Sequence, residues 1–230
     1  MARYTCENCG APIDRRIETS RVVACGHCQT TQIFVDEAFK TAGEAGAMHD
    51  APCLLALGRE SVIDGHRLTP IGHLRFSYGP GWWDEFWCTG RAGNRWVSAD
   101  EGDIAIESPL PDQAWPRAFT PKLGASVEVY GERFVVTEAE NASCIALRGE
   151  LPEAITLGET HLYFDLSGED GGILTFERWD GGEAWFQGRW IDPWRLDSDV
   201  TLKPGRRSDN SDVPGGFPSG FSGMIPGDGA

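Results

Sequence analysis

Short apolar runs, broken by polar positions and glycine turns, recur along most of this chain. Residues 61–69 and 127–136 show the pattern most plainly, since apolar positions alternate on both sides of a central glycine, Gly65 or Gly131. Alternation with a period of two is typical of half-buried strands, and a glycine between two such runs is typical of a hairpin. No long segment has the period of an amphipathic helix. The pattern predicts a mainly β fold of antiparallel strands.

Two stretches of the chain resemble each other, which indicates an internal repeat. In residues 57–68 and 123–134 a Leu-Gly pair is followed, at the same spacing, by glycine, one variable residue, arginine and a hydrophobic residue. Each copy continues into tryptophan-rich strands. Closely spaced strand pairs of this kind favour small barrels or sandwiches. We therefore predict two small antiparallel barrel- or sandwich-like β units, at 57–110 and 122–202, with a proline-rich boundary at 111–121.

Four cysteines near the N-terminus have the spacing of a metal site. Cys6 and Cys9 form one Cys-x-x-Cys pair, and Cys25 and Cys28 form a second pair. Two such knuckles supply a tetrahedral set of thiolates, and flanking strands complete the layout of a zinc ribbon over residues 1–35. We predict one structural zinc ion there. Because four thiolates leave no open coordination position, this ion offers no Lewis acid for catalysis.

The segments on either side of the β units differ in composition. Residues 36–56 predict a linker that tethers the ribbon, with a short helix beginning at the acidic Asp36. Residues 203–230 are rich in Gly, Pro and Ser and predict a disordered tail. Phe217 and Phe221 stand out as apolar residues in this tail, and we interpret them as a candidate docking motif.

Charge limits the classes of function. The chain has 230 residues and a net charge of −15, a field that repels phosphate backbones and anionic lipid headgroups. No apolar stretch has the length of a membrane span, and the first residues have no signal-peptide core. We therefore expect a cytoplasmic protein that neither binds nucleic acid nor inserts directly into a membrane. The oligomeric state stays open.

The ribbon, the repeated Leu-Gly unit and the strand Trp83-Asp84-Glu85-Phe86-Trp87 together resemble a bacterial family of the domain of unknown function 4178 type. The resemblance covers roughly residues 5–200. The family more often has Asn at the position of Asp84 and Trp at that of Phe86. The resemblance implies a ribbon joined to a β-rich module and an accessory role in a complex linked to membrane stress.

The tryptophans have two interpretations, core and contact surface. On a regular strand Trp82 and Trp83 face opposite sides, so one of them is left for contact with a partner. Asp84 and Glu85 also face opposite sides, so we assign no residue a catalytic role. The candidate partner-binding residues are Trp82, Trp83, Asp84, Glu85, Trp87, Phe217 and Phe221.

The sequence thus favours a non-enzymatic zinc-ribbon adaptor or accessory subunit that binds a protein partner through the Trp-rich module, the tail or both. Two alternatives remain open. One is an enzyme or enzyme subunit with a site near Asp84, Glu85 and His66. The other is a nucleic-acid-binding protein that uses the ribbon, which would bind in a salt-sensitive manner.

Overall fold

The computed structural model describes residues 4–14, 16–35, 38–43 and 53–198. In these residues strands dominate, all pairings are antiparallel, and the helical elements are single 3-10 turns, so the predicted mainly β class is confirmed. The turns lie at Asp112–Ala114, Glu169–Gly171 and Pro193–Arg195. The predicted tail, with its two phenylalanines, lies outside the described residues.

The N-terminal segment forms two small sheets around its cysteines. The strands are β1 (Tyr4–Thr5), β2 (Pro12–Ile13), β3 (Val22–Ala24), β4 (Thr31–Val35) and β5 (Ala38–Gly43). β1 pairs with β2, and β3, β4 and β5 form an antiparallel three-stranded unit. The first Cys-x-x-Cys turn connects β1 to β2, and the second connects β3 to β4. This is the ribbon layout expected from the spacing.

The short helix predicted at the start of the 36–56 linker is not formed where the structure describes that segment. Residues 38–43 are strand β5, with Phe39 opposite Phe34 of β4. β4 has β3 on one side only, and its other edge would carry unpaired backbone groups. Pairing with that edge outweighs the local helix signal of an acidic N-cap.

The ribbon is fused to the rest of the protein, whereas the sequence predicted a tether. Val22 and Val23 of β3 pair with Leu151 and Glu150, at the end of the longest strand of the following domain. Val22 is fully buried in an apolar cluster that it shares with that domain. The linker composition could not reveal this contact, because it joins positions far apart in the chain.

Residues 61–198 contain eleven further strands, and eight of them close into a barrel. The strands are β6 (Ser61–Ile63), β7 (His66–Ser77), β8 (Trp82–Gly90), β9 (Arg95–Asp100), β10 (Asp103–Pro109), β11 (Ser126–Val129), β12 (Glu132–Leu151), β13 (Thr160–Ser167), β14 (Gly172–Trp179), β15 (Gly182–Ile191) and β16 (Leu196–Ser198). The order around the barrel is β7-β8-β9-β10-β15-β14-β13-β12, and β12 pairs again with β7.

The two predicted β units are therefore halves of one barrel. The first supplies β7–β10 and the second supplies β12–β15, and the halves join where β10 pairs with β15 and β7 with β12. Closure removes the free edges that two separate four-stranded sheets would leave. Both joins bring backbones unusually close: a Cβ on Gly188 would lie 1.9 Å from Ile106 O, and one on Gly72 would lie 2.1 Å from Glu150 O.

The two segments of the predicted repeat form corresponding hairpins, β6–β7 and β11–β12. Gly58 N donates to Pro70 O at 2.8 Å, and Gly124 N donates to Val136 O at 2.9 Å. Each hairpin lies beside an apolar layer on the outside of its half of the barrel. That the halves arose by duplication stays a prediction.

Candidate functional site

The four predicted metal ligands converge in the ribbon. The Sγ atoms of Cys6 and Cys28 lie 3.7 Å apart, those of Cys9 and Cys25 lie 3.8 Å apart, and all four sulfurs lie within 4.8 Å of one another. A tetrahedral ion with metal–sulfur bonds of about 2.3 Å requires sulfur–sulfur distances of about 3.8 Å. The four thiols therefore fit one tetrahedral metal ion. His27 is exposed and is not part of the cluster.

Two polar side chains support this cluster from outside. Asn8 Nδ2 donates to Thr30 Oγ1 at 2.9 Å and lies 3.7 Å from Cys28 Sγ, while Thr30 Oγ1 is 3.2 Å from the same sulfur. Such contacts orient a ligand and stabilise its charged form. The cluster therefore has the geometry of a metal site.

The second feature is the lumen of the barrel, which is filled at one end. Trp87 and Trp96 point inward there, each 6% exposed, and their ring centroids are 5.1 Å apart. They belong to one apolar cluster with Leu151 and with Val22 of the ribbon. The ribbon therefore packs against the filled end of the barrel.

The opposite end of the lumen reaches solvent. A cavity of about 80 Å³ lies there, and its walls include the exposed residues Glu138 and Trp190 together with Trp83 and Tyr163. A deeper cavity of about 30 Å³ shares several wall residues with it. Since one water needs roughly 10–15 Å³ by this measure, the lumen has room for small polar molecules. We call the solvent-reaching end the mouth.

The lining of the lumen is strongly acidic. Seven carboxyl groups and one histidine line the two cavities, and neither cavity has a lysine or arginine among its lining residues. The carboxyl groups are those of Glu85, Asp100, Glu107, Glu138, Glu153, Asp165 and Glu177. In most proteins buried carboxylates are paired with cations. The described residues supply no such cation here other than the histidine.

Burial and mutual repulsion change the acidity of these groups. Burial, reinforced by the charge of Asp165, raises the pKa of Glu107 to about 8. Burial likewise raises the pKa of Asp165 and that of Glu153 to about 7, and it raises the pKa of Glu85 well above its usual range, with Glu177 contributing. Several carboxyl groups are therefore held near their titration point at neutral pH.

His161 lies among these acids in the deeper cavity. Its Nδ1 is 3.3 Å from Glu177 Oε2, and its Nε2 is 3.3 Å from Glu159 Oε1. Burial lowers the pKa of His161, but the two carboxylates outweigh burial and the net pKa is raised. Its ring also stacks on Trp179 at a centroid distance of 5.2 Å. When it is protonated, the imidazole neutralises part of the lumen charge, near Glu177.

The lumen has fewer hydrogen-bond donors than its acids need. The Thr175 hydroxyl lies 3.0 Å from Glu107 Oε1 and 2.9 Å from Asp165 Oδ1, but its single proton serves only one of them. The indole N–H of Trp96 is buried without a hydrogen-bond partner among the described residues. These groups leave an incomplete polar network that faces an open cavity.

The Trp-rich strand β8 divides its residues between the two faces of the barrel wall. Trp83, Glu85 and Trp87 point into the lumen, and Trp83 Nε1 donates to Glu85 Oε1 at 2.7 Å. Trp82, at 49% exposed, and Asp84 point outward. The alternation predicted this division, but it could not tell which face was enclosed.

Asp84 belongs to a buried ion pair on the outer face. Arg75 Nε and Nη2 donate to its two carboxylate oxygens at 2.7 and 2.9 Å, and His73 Nε2 lies 2.9 Å from Oδ1. Burial opposes ionisation of Asp84, but His73 and Arg75 lower its pKa overall. Cys53 Sγ, His73 and Asp84 lie close enough to hold a metal ion. Because the guanidinium of Arg75 already occupies both oxygens, we interpret this group as structural.

The structure does not bring together the three residues of the alternative enzyme site. Asp84 and Glu85 lie on opposite faces of β8, and His66 is exposed at the β6–β7 hairpin, beside a different surface groove. Phe217 and Phe221 lie outside the described residues, so their role as a docking motif stays a prediction.

Sequence reasoning missed most of the lumen acids, notably Glu107, Glu138, Asp165 and Glu177. Each lies next to at least one apolar residue in its strand, and an acid in such an alternating pattern ordinarily faces solvent. Here the apolar neighbours pack outward under the hairpin layers and the acids face inward. The pairing that places Glu138 opposite Asp165 is a contact between strands, which the local sequence pattern does not show.

The comparisons bear on this domain. The family model described as a domain of unknown function, DUF4178, matches residues 57–193, which is more than half of the chain. The chain belongs to the DUF4178 family. The resemblance noted from the sequence is therefore confirmed over residues 57–193, a region that contains all eight barrel strands and both lumen cavities. The ribbon precedes it.

Neither the curated proteins nor the solved structures contain a match to this DUF4178 chain. Among the residues that the structure describes, no helix combines the length and apolar character required to cross a bilayer. The chemistry of the lumen is therefore the main guide to function.

Proposed function

We propose that this DUF4178 protein is a non-enzymatic binding protein that takes a small polar molecule into its barrel through the mouth. One observation carries the proposal: an enclosed lumen, filled at one end and reaching solvent at the other, contains buried polar groups, such as the Trp96 N–H, that no described residue satisfies. Folded proteins ordinarily satisfy such groups with protein, water or ligand. Among the described residues that line the two cavities there is no cysteine or lysine, which favours binding over covalent catalysis.

In the same proposal the ribbon metal is zinc, and its role is structural. Four thiolates at tetrahedral spacing favour zinc over harder cations, which prefer oxygen ligands. Bound zinc would hold the two knuckles together and thereby keep the ribbon packed on the filled end of the barrel. We place the protein in the cytoplasm, where free thiols persist.

A library of small amines, carboxylates, sugars and amino acids tests the binding function. The measurement is the shift in melting temperature, with tryptophan fluorescence as a second readout, since Trp83 and Trp96 line the lumen. Ser98→Phe would fill the space between the two cavities and abolish the shift, whereas Ser126→Phe on exposed β11 would leave it unchanged. A folded Ser98→Phe protein that still binds every ligand would overturn the proposal.

A second candidate is the adaptor role favoured by the sequence. Its support is exposed aromatic area: Trp194 is 93% exposed, Trp82 is 49% exposed and Trp190 is 41% exposed. Exposed tryptophans are common at protein interfaces. A pull-down from the native host with the wild type, Trp82→Ala and Trp194→Ala tests it. A stoichiometric partner that is lost in either variant would support this role, and recovery of none would count against it.

Nucleic-acid binding through the ribbon predicts a mobility shift at low salt, and the absence of this shift would remove that alternative.

A further inference from the structure

We infer that a groove on the outside of the barrel binds an extended acidic segment of a partner protein. The groove has a volume of about 470 Å³, and its lining includes His66 from the β6–β7 hairpin and Tyr130 from the β11–β12 hairpin. We call it the hairpin groove. It lies on the outer face, so the inference does not depend on the ligand of the lumen.

Tyr130 has a backbone conformation that tyrosine seldom adopts. Its φ is 52°, in the left-handed region, and φ of the following Gly131 is 82°. Together they form the two-residue turn between β11 and β12, since Val129 pairs with Glu132. Asn, Asp and Gly are the usual residues in a hairpin turn with two positive φ values. A bulky side chain at the first position strains the turn.

The corresponding turn of the other hairpin has a residue of the usual type. Asp64 occupies it with a φ of 48°, followed by Gly65, and its carboxylate lies 2.7 Å from Arg195 Nη1. The Tyr130 side chain makes no hydrogen bond or ring contact with the described residues, and Tyr130 is 73% exposed. A strained residue that gains no such contact within the fold indicates a contact outside it.

Arginines from two strands border the hairpin groove. Arg95 of β9 and Arg189 of β15 lie on the two sides of β10, and neither forms an ion pair with a described residue. Arg95 Nη1 donates to the backbone oxygen of Asn94 at 3.1 Å. The residues described along this groove include no carboxyl group, and His66 adds a side chain that can be protonated. The groove is therefore locally basic in a chain of net charge −15.

The floor of the hairpin groove is apolar, and its backbone is already paired. Ile106 and Leu110 are buried and line the groove, and β10 pairs with β9 on one side and with β15 on the other. An added strand would find no free backbone groups there, so recognition depends on side chains. Neighbouring strands are about 4.8 Å apart, which places Arg95 and Arg189 at least about 10 Å apart across the floor.

This arrangement complements an extended segment with two acidic side chains and an apolar side chain between them. Residues two positions apart in an extended chain are about 7 Å apart, so their carboxylates can reach both guanidinium groups. Each guanidinium can donate two parallel N–H bonds to one carboxylate. The apolar side chain would pack on Ile106 and Leu110, and Tyr130 would supply an aromatic contact of the kind that dominates many interfaces.

The charge of the whole chain disfavours a larger polyanion in this groove. A nucleic acid would bring its phosphates against the rest of a molecule whose net charge is −15. A single small anion would engage one guanidinium and gain nothing from Tyr130 or the apolar floor. A short acidic segment carries few charges and uses all of these features.

Selection from a display library of short random peptides on the immobilised full-length protein tests the inference. We expect the selected peptides to be enriched in Asp and Glu on both sides of an apolar residue. Fluorescence polarisation with the most enriched peptide then compares the wild type with variants. Arg95→Gln and Arg189→Gln should each weaken binding at least about tenfold, because each removes charge-assisted hydrogen bonds.

Tyr130→Asn separates binding from stability. Asn adopts a positive φ more readily than Tyr, so the melting temperature should hold or rise, while peptide affinity should fall at least about tenfold. Arg67→Gln is the matched charge control. Arg67 neighbours His66 on the same hairpin, lies outside the groove and is paired with Glu60 at 2.6 Å. This variant should leave the affinity unchanged.

Selection of no peptide, or of peptides without acidic enrichment, would overturn the inference. Equal weakening by Arg67→Gln and Arg189→Gln would also overturn it, because this result would indicate nonspecific attraction to positive charge. A Tyr130→Asn protein that binds as tightly as the wild type would have the same consequence.

Two further outcomes would identify a different occupant and so contradict the inference. Displacement of the peptide by a single-stranded oligonucleotide at equal affinity would show that the groove binds polyanions. Selection only on a variant that ends at residue 202 would show that this chain's own tail occupies the groove. None of the substituted residues lines the lumen cavities, so either failure leaves the proposed binding function standing.

Discussion

The carboxylate of Glu150, on the longest barrel strand, accepts a hydrogen bond from the Ser20 hydroxyl of the ribbon at 2.8 Å. The same carboxylate also accepts from the backbone N–H groups of Arg16 and Ile17 at 2.7 and 3.2 Å. Glu150 is 4% exposed and Ser20 is 1% exposed. A single buried carboxylate therefore receives three donors from the ribbon and fixes it to the barrel.

Replacing Glu150 with alanine should loosen this junction. The change leaves the buried Ser20 hydroxyl and two part-buried backbone N–H groups without an acceptor, and we expect a loss of about 2–4 kcal/mol in the free energy of unfolding. Glu150→Gln, which keeps one acceptor oxygen, should lose less. Urea denaturation measures the effect, with the exposed Glu18→Gln as the control. A Glu150→Ala protein as stable as this control would show that the junction contributes little.

Removal of the ribbon metal should unfold the ribbon before the barrel. The thiolate cluster holds knuckles whose own core is small, whereas the barrel has closed pairing and larger apolar clusters. Elemental analysis should find one zinc per chain, and Cys25→Ser should lose it. After chelation, hydrogen exchange should accelerate at residues 4–34 and stay slow in β13 and β14. Unchanged protection of the ribbon after complete metal loss would contradict this assignment.

Neutralising the adjacent acids Asp84 and Glu85 should have opposite effects. Asp84→Asn leaves the buried Arg75 guanidinium without its anion and should cost about 3–5 kcal/mol. Glu85→Gln removes a charge that the acidic lumen disfavours, and its oxygen can still accept from Trp83, so stability should hold or rise. Thermal denaturation of the two variants makes the comparison. Equal destabilisation would argue against the assigned faces of β8.

The ligand-free protein should lose stability as the pH rises. The folded state raises the pKa of Glu107 from 4.5 to about 8 and that of Asp165 from 3.8 to about 7, so it binds protons more tightly than the unfolded state. This contribution is complete below the unfolded values and is lost as pH rises through the folded ones. We expect a fall of about 2–4 kcal/mol in the free energy of unfolding between about pH 5 and pH 9.

Two groups help to interpret that pH profile. The raised pKa of His161 acts in the same direction, while the lowered pKa of Asp84 affects stability only in more acidic solution, below its ordinary value of 3.8. Urea denaturation across the pH range gives the profile, and Glu107→Gln should flatten it. A flat wild-type profile would mean that the lumen acids are already compensated.

Much of the architecture was available from local sequence patterns. The cysteine spacing alone selected the four sulfurs that converge in the structure, because a knuckle is a contact within a few residues of chain. Alternation likewise predicted the opposite faces of Trp82 and Trp83. The helix expected near Asp36 is not formed over residues 38–43, because these residues pair as a strand with the free edge of β4.

The sequence by itself determined the class of fold, the thiolate cluster and the alternation of each strand, since these depend on neighbours along the chain. Only the tertiary structure decided that the two β units close into one barrel, that the ribbon packs on its end, and that acids such as Glu107 and Asp165 face inward. These features depend on pairings between distant strands, such as β7 with β12. Alternation defines two faces for every strand, but closure decides which face encloses the lumen.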